Sequence, residues 1–381
     1  MKASNHDIDI LIIGGGIIGL SIAYYLSKRK FSNNVQIIER DSMLASHASG
    51  HNAGGISSAH IFQTNKMSLL ARETLKLFQD LAQKDRFDFD FKINGAINIL
   101  KEEEQNPKDI ERLEVAIKEF QEKSNTKVQL VSGAETNEIE PNLALKDNSH
   151  ALYYPEDAQG NSKKLADCFA RSCTDRGVQI STQTAVEDFE IESGGRTIRS
   201  TKTNKGIIYA KTVVLATGPW SGQVASMLGL DIPIRPIKGH LISSHNPGKK
   251  VLNTFVSGEN YYVLQTAEGN LVVGGGEDTD GFNSSLIKGR VDEAWNECVS
   301  FVPLLRDLGQ ESASACLRPY ASGGLPVIGM STKIENLIFA TGHFRNGFSL
   351  APVTGKIVSE LTVDLKTDFE IAPFSPKRFG V

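Results

Sequence analysis

The feature that most constrains the fold is a glycine-rich turn close to the amino terminus. DIDILIIGGGIIGLSIAYYLSKRK places Gly14, Gly16 and Gly19 as G-x-G-x-x-G between a continuous apolar run and an apolar-rich segment. The run predicts a buried parallel strand, and the segment predicts a helix from Ile17 to Lys28. The first glycine permits a tight turn, the second lets a pyrophosphate approach the backbone, and the third lets helix and strand pack closely. The helix start then offers free N–H groups to phosphates.

A second strand follows in NVQIIER, and Glu39 comes about 20 residues after Gly19. An acid at the end of this strand can accept hydrogen bonds from ribose hydroxyls. Strand, glycine turn, helix, strand and acid complete a βαβ unit, so the sequence predicts a dinucleotide-binding domain. The glycine pattern by itself does not distinguish FAD from NAD. Apolar residues at helical spacing also predict helices over residues 67–81 and 107–123.

Similar elements recur in the middle and at the end of the chain. KTVVLATGPWS and NLIFATGH are each a buried strand that ends in Thr-Gly, whereas residues 232–281 alternate and are rich in β-branched side chains. This distribution predicts an α/β fold, α+β overall, in which a Rossmann-like domain with a parallel sheet is interleaved with a domain built on an antiparallel sheet. We expect the cofactor-binding domain to comprise residues 1–85, 148–231 and 317–381. The substrate-binding domain would comprise residues 86–147 and 232–316.

Composition argues against several classes of function. The 381 residues include 41 Lys and Arg against 45 Asp and Glu, and this net charge of −4 disfavours nucleic acid as a partner. Four cysteines lie scattered without a C-x-x-C pair, so we expect neither a disulfide framework nor a metal site. Glycines interrupt the amino-terminal apolar run too early for a signal peptide or a spanning helix. We therefore expect a cytoplasmic protein without a transmembrane segment.

Two carboxy-terminal stretches carry a family resemblance. They are LRPYASGGLPVIG, residues 317–329, and ATGHFRNGFSLAPVTGKIVSEL, residues 340–361. With them the chain resembles the D-amino-acid oxidase-type family of FAD-dependent oxidoreductases, which includes glycine oxidase, sarcosine oxidase and D-amino-acid dehydrogenase. The GHFRNG…LAP run is nearly that of the glycine oxidases. The resemblance extends over the whole chain in order, is strongest at its two ends, and implies FAD as the cofactor.

The histidine-bearing stretch SHASGHNAGGISSAH, residues 46–60, takes its meaning from this resemblance. In the family this part of the chain passes along the flavin ring and the pyrophosphate, and its small residues let the backbone reach the ring edge. We therefore interpret it as a flavin-edge loop and not as a metal cluster. The predicted cofactor-binding residues are Gly14, Gly16, Ile17, Ile18, Gly19, Glu39, Arg40, Ala48, Ser49, His51, Ala53, Gly54, Gly55, Val186, Thr217, Gly218, Trp220, Gly342, His343, Phe344, Arg345, Asn346, Gly347, Phe348 and Ser349.

His51 raises the question of how the flavin is held. It precedes NAGG much as a histidine precedes AAG in the dimethylglycine and sarcosine dehydrogenases, where it carries the flavin covalently. The chain lacks the tryptophan that those enzymes place just before that histidine. We expect non-covalent FAD, with a covalent link at His51 as the alternative.

Arg345, Tyr262 and Arg318 are the candidate catalytic residues. The resemblance implies that Arg345 binds the substrate carboxylate through two prongs, that the Tyr262 hydroxyl assists, and that Arg318 lines the same pocket. They would orient the substrate so that its α C–H faces the flavin N5 for hydride transfer. Two alternatives stay open: Arg318 in a structural ion pair, and a strand register shifted by one residue, which would exchange Tyr262 with Tyr261.

Further features bear on this pocket. A helix beginning near Pro352 would direct its positive end at the flavin, and Arg345 in its glycine loop needs an anion or solvent. Gln265 and Thr266 stand where the family usually has Pro-Arg, so we expect a changed pocket edge, which leaves open whether glycine itself is the substrate. Lys238 could lie near the flavin, but we expect it to be a solvated lysine at a strand end.

The sequence thus predicts an FAD-dependent amine oxidoreductase that oxidises a small amino acid or N-substituted glycine to an imine. The alternative is a 2-hydroxy-acid or glycerol-3-phosphate-type dehydrogenase, whose base would be His51, His60, His240 or His343. A third hypothesis is a flavin-bearing subunit of a larger dehydrogenase complex. The electron acceptor, oxygen or another carrier, stays open, as do the chirality of the substrate and the oligomeric state, a homo-oligomer included.

Overall fold

The chain folds around two large β-sheets with a cleft between them. The computed structural model describes residues 8–29, 34–57, 67–124, 126–364 and 366–381. The helices are α1 (Ile17–Lys28), α2 (Ser68–Gln83), α3 (Pro107–Ser124), α4 (Gly133–Ile139), α5 (Ser162–Asp175), α6 (Ser221–Ser226), α7 (Lys288–Phe301), α8 (Leu304–Leu308) and α9 (Ala351–Asp364). The helices predicted over residues 17–28, 67–81 and 107–123 are confirmed to within two residues at each end as α1, α2 and α3.

The strands are distributed over both halves of the sequence. They are β1 (Ile8–Ile13), β2 (Val35–Ile38), β3 (Gly55–Ile56), β4 (Lys92–Ile93), β5 (Ala96–Ile99), β6 (Gln129–Ser132), β7 (His150–Tyr154), β8 (Ala158–Gln159), β9 (Gln179–Ser181), β10 (Val186–Ile191), β11 (Ile198–Thr203), β12 (Gly206–Ile208), β13 (Ala210–Leu215), β14 (Ile234–Ser244), β15 (Phe255–Ser257), β16 (Tyr261–Gln265), β17 (Leu271–Asp278), β18 (Gln310–Ala321), β19 (Val327–Met330) and β20 (Leu337–Thr341).

The first sheet has the order β19-β20-β13-β1-β2-β9, and every pairing except β19–β20 is parallel. Its central strand β1 is almost fully buried, because helices α1, α5 and α9 cover one face and the β10-β11-β12 sheet with α6 covers the other; this explains its continuous apolar run. Parallel strands end at one edge of a sheet. The turns after β1, β2, β13 and β20 therefore lie side by side, although they are far apart in the sequence.

The turn after β1 is tight and closely packed. Gly14 has a φ of +113° and its N–H donates to the carbonyl oxygen of Ile38 at 2.8 Å, which joins the turn to β2. A Cβ on Gly19 would overlap the carbonyl oxygen of Gly14, so α1 approaches the strand end as closely as backbone atoms allow. These contacts confirm the packing expected of the first and third glycines.

The second sheet has the order β18-β14-β17-β16-β15-β5-β7-β6 and is antiparallel apart from the β15–β5 pair. Strands β14 to β17 are the β-branched region of residues 232–281, so the expected antiparallel sheet is confirmed. Its apolar face packs against α7, where Trp295 and Cys298 are buried. Three-stranded sheets β10-β11-β12 and β3-β8-β4 complete the strands.

The α/β fold class is confirmed, with one parallel and one antiparallel sheet built from alternating stretches of the sequence. The domain boundaries stay a prediction. Strand β7 lies in the range 148–231 and pairs with β5 of the second sheet. The four cysteines are free and buried. In the ranges that the structure describes, none of the helices has both the length and the apolar character that crossing a membrane would need.

We predict that Gly19→Ala destabilises the chain, because its methyl group must push α1 away from the Gly14 carbonyl. Overpacking of this kind lowers the free energy of unfolding by about 1–3 kcal/mol. The measurement is urea unfolding of the purified protein, followed by circular dichroism. Gly289→Ala is the matched control, because Gly289 lies in α7 and its added methyl group would have no neighbouring atom within 4 Å. An equal loss of stability in both variants would contradict the prediction.

Candidate active site

One cleft of about 780 Å³ collects almost all of the predicted site residues. Residues lining it include Gly14, Gly16, Ile17, Ile18, Glu39, Arg40, Ala48, Ser49, His51, Ala53, Gly54, Gly55, Val186, Thr217, Gly218, Trp220, Tyr262, Arg318, His343, Phe344, Arg345, Asn346, Gly347, Phe348 and Ser349. Gly19 and Gly342 do not line it: Gly19 packs on Gly14, and Gly342 packs on Ala321 and Ile234. They affect the cleft indirectly, because they allow the close backbone packing that positions its walls.

One end of the cleft is formed by backbone at the start of α1. The N–H of Ile17 donates to Ser49 Oγ at 3.0 Å. This bond connects the helix start to the described part of the histidine-bearing stretch, which we call the 46–57 loop. The first turn of α1, which the structure describes in full, contains no acidic side chain. The positive end of the helix dipole therefore faces the cleft without a carboxylate of its own, as an anion site requires.

The end of β2 adds an acid and a cation to this region. Glu39 accepts from the N–H of Gly15 at 2.8 Å and from the N–H of Asp41 at 3.0 Å, so its carboxylate is held at the cleft wall. The Arg40 guanidinium lies over the Trp220 ring, 3.7 Å from its centroid. This cation–π contact brings the ends of β2 and β13 together across the cleft.

The 46–57 loop follows the same wall toward the second sheet. His47 Nε2 lies 2.6 Å from Asp41 Oδ2, and His51 Nδ1 lies 3.0 Å from the carbonyl oxygen of His47. In the described ranges, no three His, Cys, Asp or Glu side chains come together as a group of metal ligands. His60, the third histidine of the stretch, lies outside the described residues.

The glycine loop after β20 forms the opposite wall. It passes through a short 3₁₀ turn, Phe344–Asn346, and reaches α9 at Ala351. Ser349 Oγ donates to the carbonyl oxygen of Gly55 at 3.2 Å, so this loop closes onto the 46–57 loop. The helix expected near Pro352 therefore begins directly behind the cleft.

The far end of the cleft holds two guanidinium groups. Arg345 Nη2 lies 2.5 Å from Glu277 Oε1, and each side chain is 48% exposed. Arg318 instead donates to two carbonyl oxygens, at 2.6 Å to Gly276 and at 3.3 Å to Gly275. Its side chain lies flat over Gly239, where any Cβ would overlap the guanidinium. In the described residues Arg318 has these neutral partners and no ion pair, which disfavours the ion-pair alternative.

Tyr262 lies beside these arginines. Its ring stacks on Phe255 with centroids 5.0 Å apart, and its hydroxyl lies over Gly274. Burial raises the pKa of Tyr262, while the nearby charges of Arg318 and Arg345 act to lower it, so the side chain stays a neutral phenol. Tyr261, with 3% exposure, packs in the apolar core. The structure therefore has the register that directs Tyr262 to the arginines.

Two expectations at this end of the cleft are wrong. Lys238 is not solvated: it is 1% exposed and its Nζ lies 2.5 Å from Asp280 Oδ2. Gln265 is not at the pocket edge, because its buried amide accepts from the N–H of Val251 and donates to the carbonyl oxygens of Lys249 and Gly269. The Gln265 side chain therefore holds a loop away from the cleft, so its presence is no argument about the substrate.

Three further residues, Glu277, Gly239 and Gly276, belong to this site and are not among those that the sequence predicts. The segment VVGGGED places three glycines directly before Glu277. Glycines within a strand often mark a bulge or a close approach of a ligand, so this pattern could have indicated Glu277 as a site residue. The sequence contains no signal that pairs Glu277 with Arg345, because two helices and three strands separate these residues along the chain.

Two buried histidines, His343 and His240, are poor proton acceptors. Burial lowers the pKa of His343 to about 3, and its Nε2 lies 3.0 Å from the hydroxyl oxygen of Thr354. Burial also lowers the pKa of His240, whose Nε2 accepts from the N–H of Ile287. Both imidazoles are therefore neutral in the folded protein at ordinary pH.

Comparison with known proteins agrees with this geometry. The family model described as "FAD dependent oxidoreductase" (DAO) matches residues 9–361. The chain is 28% identical over 378 residues to a glycine oxidase of Geobacillus kaustophilus, covering 98% of this chain and 97% of that one. The solved glycine oxidase structure from that organism has a TM-score of 0.88 at 27% identity, covering 97% and 98% of the two chains.

A second solved structure is as similar in shape. L-proline dehydrogenase from P. horikoshii has a TM-score of 0.90 at 26% identity, with 98% of each chain covered. The family model and the fold similarity both extend over nearly the whole chain, and the glycine turn lies within the matched region. The protein is therefore an FAD-dependent oxidoreductase of the DAO family.

Proposed function

We propose that the protein is an amine oxidoreductase that oxidises the Cα–N bond of a small amino acid or N-substituted glycine. The observation that carries this proposal is the environment of the Arg318 guanidinium. It lies at the cleft, and its hydrogen-bond partners are neutral carbonyl oxygens. A cation whose hydrogen-bond partners, in the described residues, include no carboxylate favours an anionic ligand. A substrate carboxylate is the ligand that a small amino acid offers.

The other end of the cleft fits FAD. Gly14 and Gly19 bring the start of α1 to the cleft. Because Gly16 has no side chain, a pyrophosphate can approach the backbone there. Glu39 is held where it can accept from ribose hydroxyls. The cofactor-binding residues predicted from the sequence stay a proposal, which their positions around one cleft support.

The structure favours a different division of roles between the arginines from the one that the resemblance implied. Arg345 is paired with Glu277, so its charge is already balanced. Arg318 has no acid among its hydrogen-bond partners in the described residues and is the better carboxylate site. Charge-assisted hydrogen bonds contribute about 1.5–3 kcal/mol each, enough to orient the substrate.

Bound FAD supplies a two-electron hydride acceptor. Arg318 would hold the carboxylate, and the neutral hydroxyl of Tyr262 would donate a hydrogen bond to the same ligand. These residues act by fixing the direction of the α C–H bond. An amine that binds in its neutral form needs no protein base, and the imino acid that forms is then hydrolysed by water to a keto acid and ammonia or an amine.

Two of the four candidate histidine bases, His343 and His240, are unsuited to hydroxy-acid chemistry. Oxidation of an alcohol needs a base near the flavin, and its pKa should lie close to the working pH. His343 lines the cleft but has a pKa of about 3. The Nε2 of His240 already accepts a hydrogen bond from the N–H of Ile287. Neither provides the base that the alternative chemistry requires. His51 also lines the cleft and is the remaining candidate base among the described residues, so the preference for the amine class rests on Arg318.

We predict that Arg318→Met lowers kcat/KM at least about 100-fold, because two charge-assisted hydrogen bonds to the substrate are lost. The assay is anaerobic flavin reduction by a panel of glycine, sarcosine, proline and D-amino acids, followed by admission of air to test oxygen as acceptor. Arg199→Met is the control, because Arg199 pairs with Glu190 on the surface. The proposal fails if no amine reduces the wild-type flavin, or if Arg318→Met is unimpaired.

We predict that acid denaturation releases all of the flavin into the supernatant, as expected of non-covalent FAD. The absorbance of pellet and supernatant measures the partition. His51 is the residue to vary, because it lines the cleft. Flavin that stays in the wild-type pellet and is lost from the pellet of His51→Ala would establish the covalent alternative.

We predict that His343 stays neutral down to about pH 4, because burial depresses its pKa to about 3 from the 6.5 of an exposed histidine. The unfolded chain then binds the extra proton between these values, so this histidine makes the fold less stable as pH falls through that window. NMR of ¹³C-labelled histidine rings, assigned with His343→Asn, follows the titration. A midpoint between about pH 6 and 7, the range of an exposed histidine, would contradict the prediction and return His343 to the candidate bases.

A further inference from the structure

A β-bulge lies at the arginine end of the cleft. Lys238 of β14 pairs with Asp278 of β17, but the next pair is His240 with Gly275, so Gly239 alone opposes Gly276 and Glu277. Gly276 has a φ of +74°, a conformation that side chains disfavour. One extra residue on one strand interrupts the hydrogen-bond ladder and changes the direction of the neighbouring side chains.

The bulge has two consequences for the site. Its carbonyl oxygens, at Gly275 and Gly276, accept from Arg318. The next residue, Glu277, is directed to the cleft, where its carboxylate pairs with Arg345 at 2.5 Å. The same irregularity therefore positions Arg318 and supplies the acid that neutralises the other arginine.

These three groups set the local charge. Arg318 and Arg345 carry two positive charges and Glu277 one negative charge, so a single substrate carboxylate balances them. Glu259 also lines the cleft, but it is paired with Lys101 at 3.0 Å. A second substrate carboxylate could not pair with Arg345, because Glu277 already does so. It would also lie close to Glu277, and the two negative charges would repel each other.

We propose that Glu277 is a specificity-determining residue that excludes substrates with a second carboxylate. It occupies Arg345 as an internal substitute for that carboxylate, so the cleft accepts monocarboxylic substrates with uncharged side chains. This inference rests on the proposed amine oxidation, because it takes Arg318 as the site of the first carboxylate.

The test is ligand binding to the FAD-loaded enzyme, measured by calorimetry with succinate and succinamate. These ligands are nearly equal in shape and differ by one carboxylate. We expect the wild type to bind succinamate at least about tenfold more tightly, and Glu277→Gln to narrow this ratio at least about tenfold. The gain in succinate affinity should disappear in the double variant Glu277→Gln/Arg345→Met, since it depends on the guanidinium that Glu277 had occupied.

Glu190→Gln is the matched control. Glu190 pairs with Arg199 at 2.8 Å on the β10-β11-β12 sheet, and this Arg–Glu pair has a similar exposure. It should keep the wild-type ratio. Flavin reduction by asparagine and aspartate of each chirality gives the same comparison in turnover.

A wild type that binds both ligands equally, or neither, overturns the inference whatever the stability of the variants. An unchanged ratio in Glu277→Gln also overturns it. Such results leave the proposed function intact as long as monocarboxylic amines reduce the flavin. If no amine does so, the proposed function itself fails.

Discussion

The close contact between α1 and the end of β1 is the constraint on which the rest of the cleft depends. Because Gly19 has no side chain, the helix can start against the carbonyl of Gly14, and its N–H groups then face the space beyond the strand. Ser49 attaches the 46–57 loop to that helix start through Ile17. The loop in turn meets the carboxy-terminal wall at Ser349. These contacts connect the helix start to both walls of the cleft.

The two sheets give the cleft ends of different chemistry. The parallel sheet contributes backbone amides and a helix dipole, which suit phosphates and tolerate many neighbouring sequences. The antiparallel sheet contributes charged side chains, and the bulge in β17 determines which of them face the ligand. Cofactor recognition therefore depends mainly on the path of the chain, whereas substrate recognition depends on a few side chains such as Glu277 and Arg318.

Much of the fold could be predicted because its signals are local. A buried strand, a glycine turn and α1 are adjacent in the sequence, and the alternation of residues 232–281 belongs to consecutive strands. The cofactor residues could be named because they follow strand ends, which meet at one edge of a parallel sheet. The environment of Lys238 could not be predicted in this way. Its partner Asp280 lies in a loop 42 positions later, and only folding brings this exposed carboxylate to the buried lysine.

The sequence by itself determined the glycine turn, the order of strands and helices, the FAD-dependent family and the set of side chains available to the cleft. Only the tertiary structure decided how charge is shared among those side chains. Arg345 and Arg318 are equivalent as letters, but one contacts Glu277 and the other contacts carbonyl oxygens. The physical reason is that local patterns determine backbone conformation, whereas the charge at a site depends on partners that only packing brings within a few ångströms.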